Sequence, residues 1–314
     1  MKESVLENVT LKSSGNPYEL IKSKEFSDVY SQYGIVLAKG VINNFSRTGL
    51  FKALNLALGG SLLNYNFRST PRNNVAKGVY TASEYPADTV IPQHNENSYT
   101  NAWPAKLAFV CEQPAAKNGR TPLANSREVY DAIPVEIKQE FESKGLKYVR
   151  NFSDIDLPWT EVFNTSDKGS VESYCAENNI QFNWINDNHL RTEQTLPPER
   201  KHHTNGQSIW FNQAHLFHIS THSEEMHKTL NDLFGLENIP RNVYFGDGSE
   251  INSEYLDIIR DVYKAKTFSF EWEKGDLLLI DNMQYSHGRE VFEGERRVLV
   301  GMSGQIIDGK LVVQ

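Results

Sequence analysis

The chain has 314 residues, of which 39% are hydrophobic and 23% are charged, as is ordinary for a globular protein with a large buried core. This composition excludes collagen-like, coiled-coil and wholly disordered chains. With 32 basic and 40 acidic side chains the formal net charge is −8, which disfavours binding of DNA or RNA by phosphate neutralisation. We therefore expect no nucleic-acid partner.

The sequence carries no signal for a membrane span or an export segment. No run approaches the length of a membrane-crossing helix, and the start, MKESVLENVT, lacks the apolar core of a signal peptide. The two cysteines, Cys111 and Cys175, make neither a disulfide framework nor a zinc site. We expect a cytoplasmic protein.

Apolar residues recur at helical spacing in two segments of the first half. Residues 44–59 form the clearest predicted helix, which Ser46 can cap and Gly59 can end. A second helix is predicted over 126–144, with Gly145 as its stop.

Two further helices are predicted in the second half. One begins at Thr221, which forms a capping box with Glu224, and another covers about 252–264. Six short runs between the helices are typical of strands: YGIVLAK, KLAFVCE, QSIWFN, TFSFEWE, DLLLIDN and RRVLVGM.

These strands do not alternate regularly with helices, which argues against a doubly wound parallel sheet. The pattern favours a mainly β protein with peripheral helices, folded as a jelly roll or barrel. No repeat or linker divides the chain, so we expect a single domain over 1–314. Residues of about 150–205 are polar, irregular and rich in asparagine, and we predict that they form a lid or insertion over one face.

Two pairs of residues have the His-x-acid spacing that directs two ligands to one side of a strand: His94 with Glu96, and His222 with Glu224. About one such pair is expected by chance, so the spacing alone identifies no site. The capping box explains Glu224, which leaves the first pair. His287 would complete a triad of two histidines and one carboxylate, which leaves half of an octahedral iron open for substrate and oxygen.

Five other histidines lie close together in the sequence but lack the glutamate that a zinc-protease motif requires. We predict no second metal site there, and we expect His215 and His218 to line or support the pocket. The five are His202, His203, His215, His218 and His222.

The segments around the triad extend the pattern. They read VIPQHNENSYTNAWPAKLAFVCEQPAAKNGRTPLANS and WEKGDLLLIDNMQYSHGREVFEGERRVLVGM, with SIWFNQAHLFH and VYFGDGSEI between them. In order and spacing, over roughly residues 30–305, they resemble the taurine dioxygenase-like (TauD/TfdA) family of iron(II)/2-oxoglutarate oxygenases. Within that family they look most like the branch that hydroxylates amino acids and natural products.

The resemblance implies a double-stranded β-helix, in agreement with the jelly roll favoured above. It implies that His94, Glu96 and His287 hold Fe(II), with 2-oxoglutarate and O2 as co-substrates. It also implies that Thr121 and Arg297 bind the distal carboxylate of 2-oxoglutarate, while Arg296 points the other way from its strand.

Two departures from the family pattern bear on the substrate. Gly301 stands four residues after Arg297, where taurine-specific enzymes carry an arginine for the sulfonate, so taurine is not the expected substrate. Glu96 stands where many relatives have aspartate; glutamate occurs at this position in the natural-product branch. Because this carboxylate is present, the resemblance excludes an iron halogenase.

We predict a dioxygenase that hydroxylates an unactivated C–H bond of a small amino-acid-like or natural-product substrate, free or bound to an aminoacyl carrier protein, with release of succinate and CO2. Tyr99, Asn212 and Arg289 are the candidate substrate contacts, although Arg289 could instead be a structural ion-pair partner. The alternatives are an oxygen-independent jelly-roll metal enzyme, such as an isomerase or hydrolase, and a non-catalytic jelly roll that binds a small ligand. The sequence assigns no oligomeric state.

Overall fold

The computed structural model describes residues 2–12, 16–63, 74–76, 78–82, 85–153 and 157–312. Its strands are Thr10–Lys12 (β1), Ile35–Lys39 (β2), Asn74–Ala76 (β3), Val79–Thr81 (β4), Ile91–His94 (β5), Ala102–Gln113 (β6), Lys117–Asn118 (β7), Leu123–Asn125 (β8), Leu146–Phe152 (β9), Gln181–Trp184 (β10), Leu190–Leu196 (β11), Glu199–Lys201 (β12), Ser208–Trp210 (β13), Arg241–Phe245 (β14), Leu277–Asp281 (β15), Tyr285–Arg289 (β16), Phe292–Glu293 (β17), Arg297–Ile307 (β18) and Lys310–Leu311 (β19). Its α-helices are Lys2–Val9 (α1), Pro17–Lys22 (α2), Lys24–Tyr33 (α3), Arg47–Leu58 (α4), Ser126–Ala132 (α5), Val135–Lys144 (α6), Trp159–Val162 (α7), Lys168–Glu177 (α8), Ala214–Phe217 (α9), Glu224–Phe234 (α10) and Ser253–Lys266 (α11), with 3-10 turns at Ile219–Thr221 and Leu236–Asn238.

Two facing sheets form the double-stranded β-helix. The larger sheet has the order β1-β2-β15-β6-β18-β4-β3, with β19 beside β18, and the smaller has the order β5-β16-β8. Phe109 of β6 and His287 of β16 meet across the interior, with ring centroids 5.1 Å apart. The outer face of the larger sheet is covered by α4, so its central strands are apolar on both sides. The predicted mainly β fold with peripheral helices is confirmed.

A third sheet, of order β10-β11-β9-β14, builds a separate core with α5, α6, α8 and α11. Much of the segment predicted as irregular lies here: residues 150–205 contain α7, α8 and β10 to β12. The prediction of irregular structure is therefore wrong for this segment. In α8 only Val171 and Cys175 are buried; their spacing of four residues is helical, but two residues in a short, mostly polar helix are too few to establish a period.

The helix boundaries follow local signals in most places. For α4, Ser46 accepts a hydrogen bond from the Gly49 N–H, and Gly59 ends the helix at φ 64°, a conformation that favours glycine. The helix predicted over 126–144 is instead two helices, because Pro134 cannot continue the first one.

Two other local predictions are wrong. Ser223, not Thr221, caps α10, and the Thr221 hydroxyl donates to backbone carbonyls in the preceding turn; the Glu224 side chain lies outside the described residues. The run TFSFEWE forms no strand; Phe268 makes an isolated bridge with Leu123. Across the described ranges, the structure contains no helix with the length and apolar character needed to span a membrane.

Candidate active site

The triad of two histidines and a glutamate comes together at the smaller sheet. His94 on β5 and His287 on β16 are directly opposed in the antiparallel register, with ring centroids 4.4 Å apart. Glu96 follows β5 in a turn. The three ligand atoms all lie within 4.8 Å of one another, and among the described residues no other group of His, Cys, Asp or Glu converges in this way.

Hydrogen bonding selects the ligand atoms. The Nδ1 of His94 lies 2.9 Å from the Pro92 carbonyl, so Nδ1–H donates there and Nε2 keeps its lone pair for a metal. The Nε2 of His287 lies 4.0 Å from Oε2 of Glu96, and both side chains are buried. Two imidazole nitrogens and one carboxylate fit a divalent cation and are the ligand set typical of non-haem Fe(II).

Asn282 holds Glu96 in place through the backbone. Its Oδ1 accepts from the Glu96 N–H at 2.7 Å, and its Nδ2 donates to the carbonyls of Glu96 at 3.0 Å and of Pro104 at 2.9 Å. Asn282 is fully buried, at the end of β15 and five residues before His287. The sequence reasoning missed it; the only signal was the Asp-Asn pair that closes DLLLIDN.

His215 supports the strand that carries His94, as predicted for this histidine. Its Nε2 donates to the Gln93 carbonyl at 2.9 Å, and its ring stacks on Tyr263 with centroids 4.6 Å apart. Burial lowers the pKa of His215 to about 4, so the ring is neutral near pH 7. His218 is also buried, and its Nδ1 accepts from the Ser220 N–H at 3.2 Å within the turn that follows α9.

Thr121 lies just before β8, the strand that pairs with β16 on the side opposite β5. The pairing of β16 with β8 continues through bonds from the Gly288 N–H to Pro122 and from the Glu290 N–H to Arg120, which places Thr121 opposite Arg289. Thr121 is buried, and its Oγ1 accepts a hydrogen bond from the indole N–H of Trp272 at 2.9 Å.

The structure reverses the orientation predicted for the two adjacent arginines. Arg297 is on the outer side, with its side chain 51% exposed and its Nε 2.8 Å from a Glu112 carboxylate oxygen. Arg296 points inward, where its Nε donates to the Gly119 carbonyl at 2.9 Å. Burial, with a smaller contribution from Arg289, lowers the pKa of Arg296 to about 10, so it remains charged at pH 7.

The alternation of side chains along β18 explains this reversal. Val298 and Val300 belong to the interior core, and Leu299 belongs to the outer core against α4. A Cβ on Gly301 would meet Leu54 and Leu58 of α4, so Gly301 also faces outward. The interior residue four positions after the inward arginine is Val300. Gly301 therefore faces α4, and the interior residue next to it is Val300.

Arg289 has a structural role that the sequence left open. It is buried, and its guanidinium donates to the carbonyls of Tyr85, Pro86 and Thr89 at 2.9, 2.6 and 2.7 Å. It thereby anchors the segment that leads into β5. Within the described residues its Nε–H has no acceptor, and no carboxylate pairs with it.

The far end of the pocket therefore presents hydrogen-bond donors. The guanidinium carbons of Arg289 and Arg296 lie 5.0 and 5.8 Å from the ring centroid of Phe292, and the described residues supply neither arginine with a carboxylate partner. Thr121 lies opposite Arg289 in the strand register. A cleft of about 930 Å³ is lined by both arginines and by none of the triad residues; Arg297, Glu112 and Glu295 line it as well. Buried cationic donors without an acidic partner fit a carboxylate ligand.

The other two predicted substrate contacts are engaged within the protein. The Asn212 amide donates to the Pro198 carbonyl at 2.6 Å and accepts from the Ala214 N–H at 3.0 Å. Tyr99 is buried in the separate core around the third sheet, with its ring 5.0 Å from that of Phe217. These contacts explain both side chains by packing and backbone support.

Comparison with known proteins agrees with this geometry. The family model described as "Taurine catabolism dioxygenase TauD, TfdA family" matches residues 8–303. The dapdiamide synthesis protein DdaC of Enterobacter agglomerans is 39% identical over 285 residues, which cover 90% of this chain and 86% of that protein. A clavaminate synthase-like protein of Arabidopsis thaliana is 29% identical over 258 residues, 78% of this chain and 74% of that protein.

The fold is also found in solved structures. The PvcB protein of Pseudomonas aeruginosa superposes with a TM-score of 0.53 at 13% identity, covering 97% of this chain and 90% of that one. The family match spans nearly the whole chain and includes every residue of the metal triad. The chain belongs to the TauD/TfdA family and is an iron(II)- and 2-oxoglutarate-dependent dioxygenase that acts on small molecules.

Proposed function

We propose that His94, Glu96 and His287 bind Fe(II), and that Arg296, Arg289 and Thr121 bind the distal carboxylate of 2-oxoglutarate. The observation that carries this assignment is the opposite polarity of the two ends of the pocket. Acceptor atoms converge at the triad, as a cation requires. At the other end, the buried guanidiniums of Arg289 and Arg296 donate only to backbone carbonyls and have no carboxylate partner among the described residues, so they can take a carboxylate ligand. Arg297 has no part in it.

When bound together, the iron, 2-oxoglutarate and O2 supply the oxidising power for C–H hydroxylation, with release of succinate and CO2. The protein's own contribution is placement. The cross-strand pair of His94 and His287 sets two ligands, and Asn282 fixes the backbone of the third. The two arginines hold the co-substrate at the end away from the metal, so that its keto-acid end faces the triad.

For the substrate we propose an amino-acid-derived small molecule, free or attached to a carrier. Its similarity to a dapdiamide synthesis protein supports this class. Val300, fully buried on the interior face, supports a pocket wall that is apolar and offers no charge for a sulfonate. We also propose that the chain is one domain and that its third sheet, of β9, β10, β11 and β14, covers the pocket together with the 150–205 segment.

The test begins with the anaerobic protein supplied with Fe(II) and 2-oxoglutarate. We expect the weak visible absorption band of a metal chelate, and we expect Arg296→Gln to require far more 2-oxoglutarate to produce it. Amino acids, their amides, short peptides and carrier-bound aminoacyl groups are then screened for a product that has gained one oxygen atom. A protein that binds iron but shows no band at any 2-oxoglutarate concentration would contradict the assignment.

A further inference from the structure

Trp272 is buried against Thr121, the residue that lies just before β8. Its indole Nε1 lies 2.9 Å from Oγ1 of Thr121, and its ring meets that of Phe270 with centroids 4.7 Å apart. The segment is fixed by two backbone bonds between Phe268 and Leu123, at 2.8 and 2.9 Å. Because Leu123 is paired with His287, the indole is held at a defined position relative to the metal site.

The hydrogen bond between Trp272 and Thr121 can have only one direction. An indole N–H can donate but cannot accept, so the Thr121 oxygen must be the acceptor. The single proton of the Thr121 hydroxyl is then left to be donated elsewhere. None of the described residues is assigned as its acceptor, and the charged neighbours at this end, Arg289 and Arg296, are themselves donors.

We propose that Trp272 is a positioning residue that fixes Thr121 as a hydrogen-bond donor to the distal carboxylate of 2-oxoglutarate. This rests on the proposed function, in which that carboxylate lies at the donor end of the pocket. Without the indole N–H, the hydroxyl can rotate and use its proton on another neighbour. The preorganised donor is then lost, even though Thr121 itself is still present.

A double-mutant cycle on 2-oxoglutarate binding tests this role. The dissociation constant is measured from the visible band of the anaerobic Fe(II) protein in the wild type, Trp272→Phe, Thr121→Val and the double variant. We expect Trp272→Phe to weaken binding by about three- to tenfold, the range for one intramolecular hydrogen bond. In the Thr121→Val background, which has no hydroxyl to orient, the same change should have almost no effect.

Thr121→Ser is the matched control, because it keeps the hydroxyl and should keep its dependence on Trp272. Equal weakening by Trp272→Phe in all backgrounds would show that the indole only packs, and would overturn the proposal. An unchanged dissociation constant in Trp272→Phe would overturn it as well. A wild-type protein that gives no band contradicts the proposed function instead, so the two failures are distinguishable.

If Trp272→Phe does not fold, the wild-type protein provides a second measurement. With Zn(II) in place of iron, the indole N–H resonance of Trp272 is followed by NMR as 2-oxoglutarate is added. A carboxylate that accepts from Thr121 strengthens the hydroxyl as an acceptor, so we expect this resonance to move downfield. A resonance that stays in place while 2-oxoglutarate binds overturns the proposal.

Discussion

The two ends of the site share strand β16 but have opposite electrostatic requirements. At the metal end, His94 and His287 face each other across the strands and offer lone pairs beside a buried carboxylate. Two residues further along β16, Arg289 lies opposite Thr121, which precedes β8 on the other side of β16, and these two side chains offer protons. Along β16, the groups that suit a cation and those that suit an anion are thus only two residues apart.

The support for the two ends also differs. The metal end is held mainly by neutral groups, including the Asn282 amide and the neutral ring of His215. The donor end is held by charged groups, two guanidiniums that contact backbone carbonyls and the ring of Phe292. Neutral support leaves the metal ligands free of competing charges, and charged donors without an acidic partner leave the attraction for the co-substrate intact.

Removal of a ligand at the metal end should have the largest effect. We expect His287→Ala to lose Fe(II) binding and turnover together, by more than the roughly 10- to 100-fold typical of removing a residue that only supports a ligand. The matched control is His222→Ala, an exposed histidine of the other His-x-acid pair. Metal content and turnover of the two variants check the prediction; iron retained by His287→Ala at wild-type affinity would contradict it.

The donor end should respond through 2-oxoglutarate binding, with iron binding intact. We expect Arg296→Gln to weaken 2-oxoglutarate binding by about 10- to 100-fold, as for the loss of a buried, charge-assisted hydrogen bond. Arg297→Gln removes the same charge one residue away and should change binding by less than about twofold, because it breaks only an exposed ion pair with Glu112. Titration of the visible band decides between them, and the opposite ranking would restore Arg297 as the co-substrate ligand.

The neutral support of the metal end should produce a modest pH dependence of stability. The pKa of His215 is lowered by burial from 6.5 to about 4, so the unfolded chain binds its proton first as the pH falls. The contribution of neutral His215 to the free energy of unfolding is complete above pH 6.5 and is lost as the pH falls toward 4. It amounts to on the order of 1–2 kcal/mol between pH 7 and pH 5.

Denaturant unfolding of the metal-free protein at these two pH values measures the effect. We expect His215→Gln to lose less stability than the wild type between pH 7 and pH 5. An equal loss in both proteins would show that His215 is not the group responsible. The arginines of the donor end stay protonated throughout this range and contribute no such dependence.

Much of the protein could be predicted from local sequence. Serine and glycine at the ends of 44–59 fix α4 because capping and the left-handed turn need only neighbouring residues. The sequence also selected His94 and Glu96 by their spacing, although β5 ends at His94 and a turn held by Asn282, not an extended strand, places Glu96. Family resemblance then named His287 and Thr121, which the structure brings to the same strand pair.

Only the tertiary structure decided which side of a strand each residue faces and which residue each side chain contacts. In RRVLVGM the residues on both faces of the strand are apolar, because α4 packs on one face and the other face lines the interior of the β-helix. The sequence pattern therefore could not show which arginine points inward. A bulge at Glu112 in the neighbouring strand then sets the local register and provides the partner for Arg297. Trp272 meets Thr121 across 151 positions of sequence. Contacts of this kind follow from how the sheets pair and pack, and no local rule of spacing or capping contains that information.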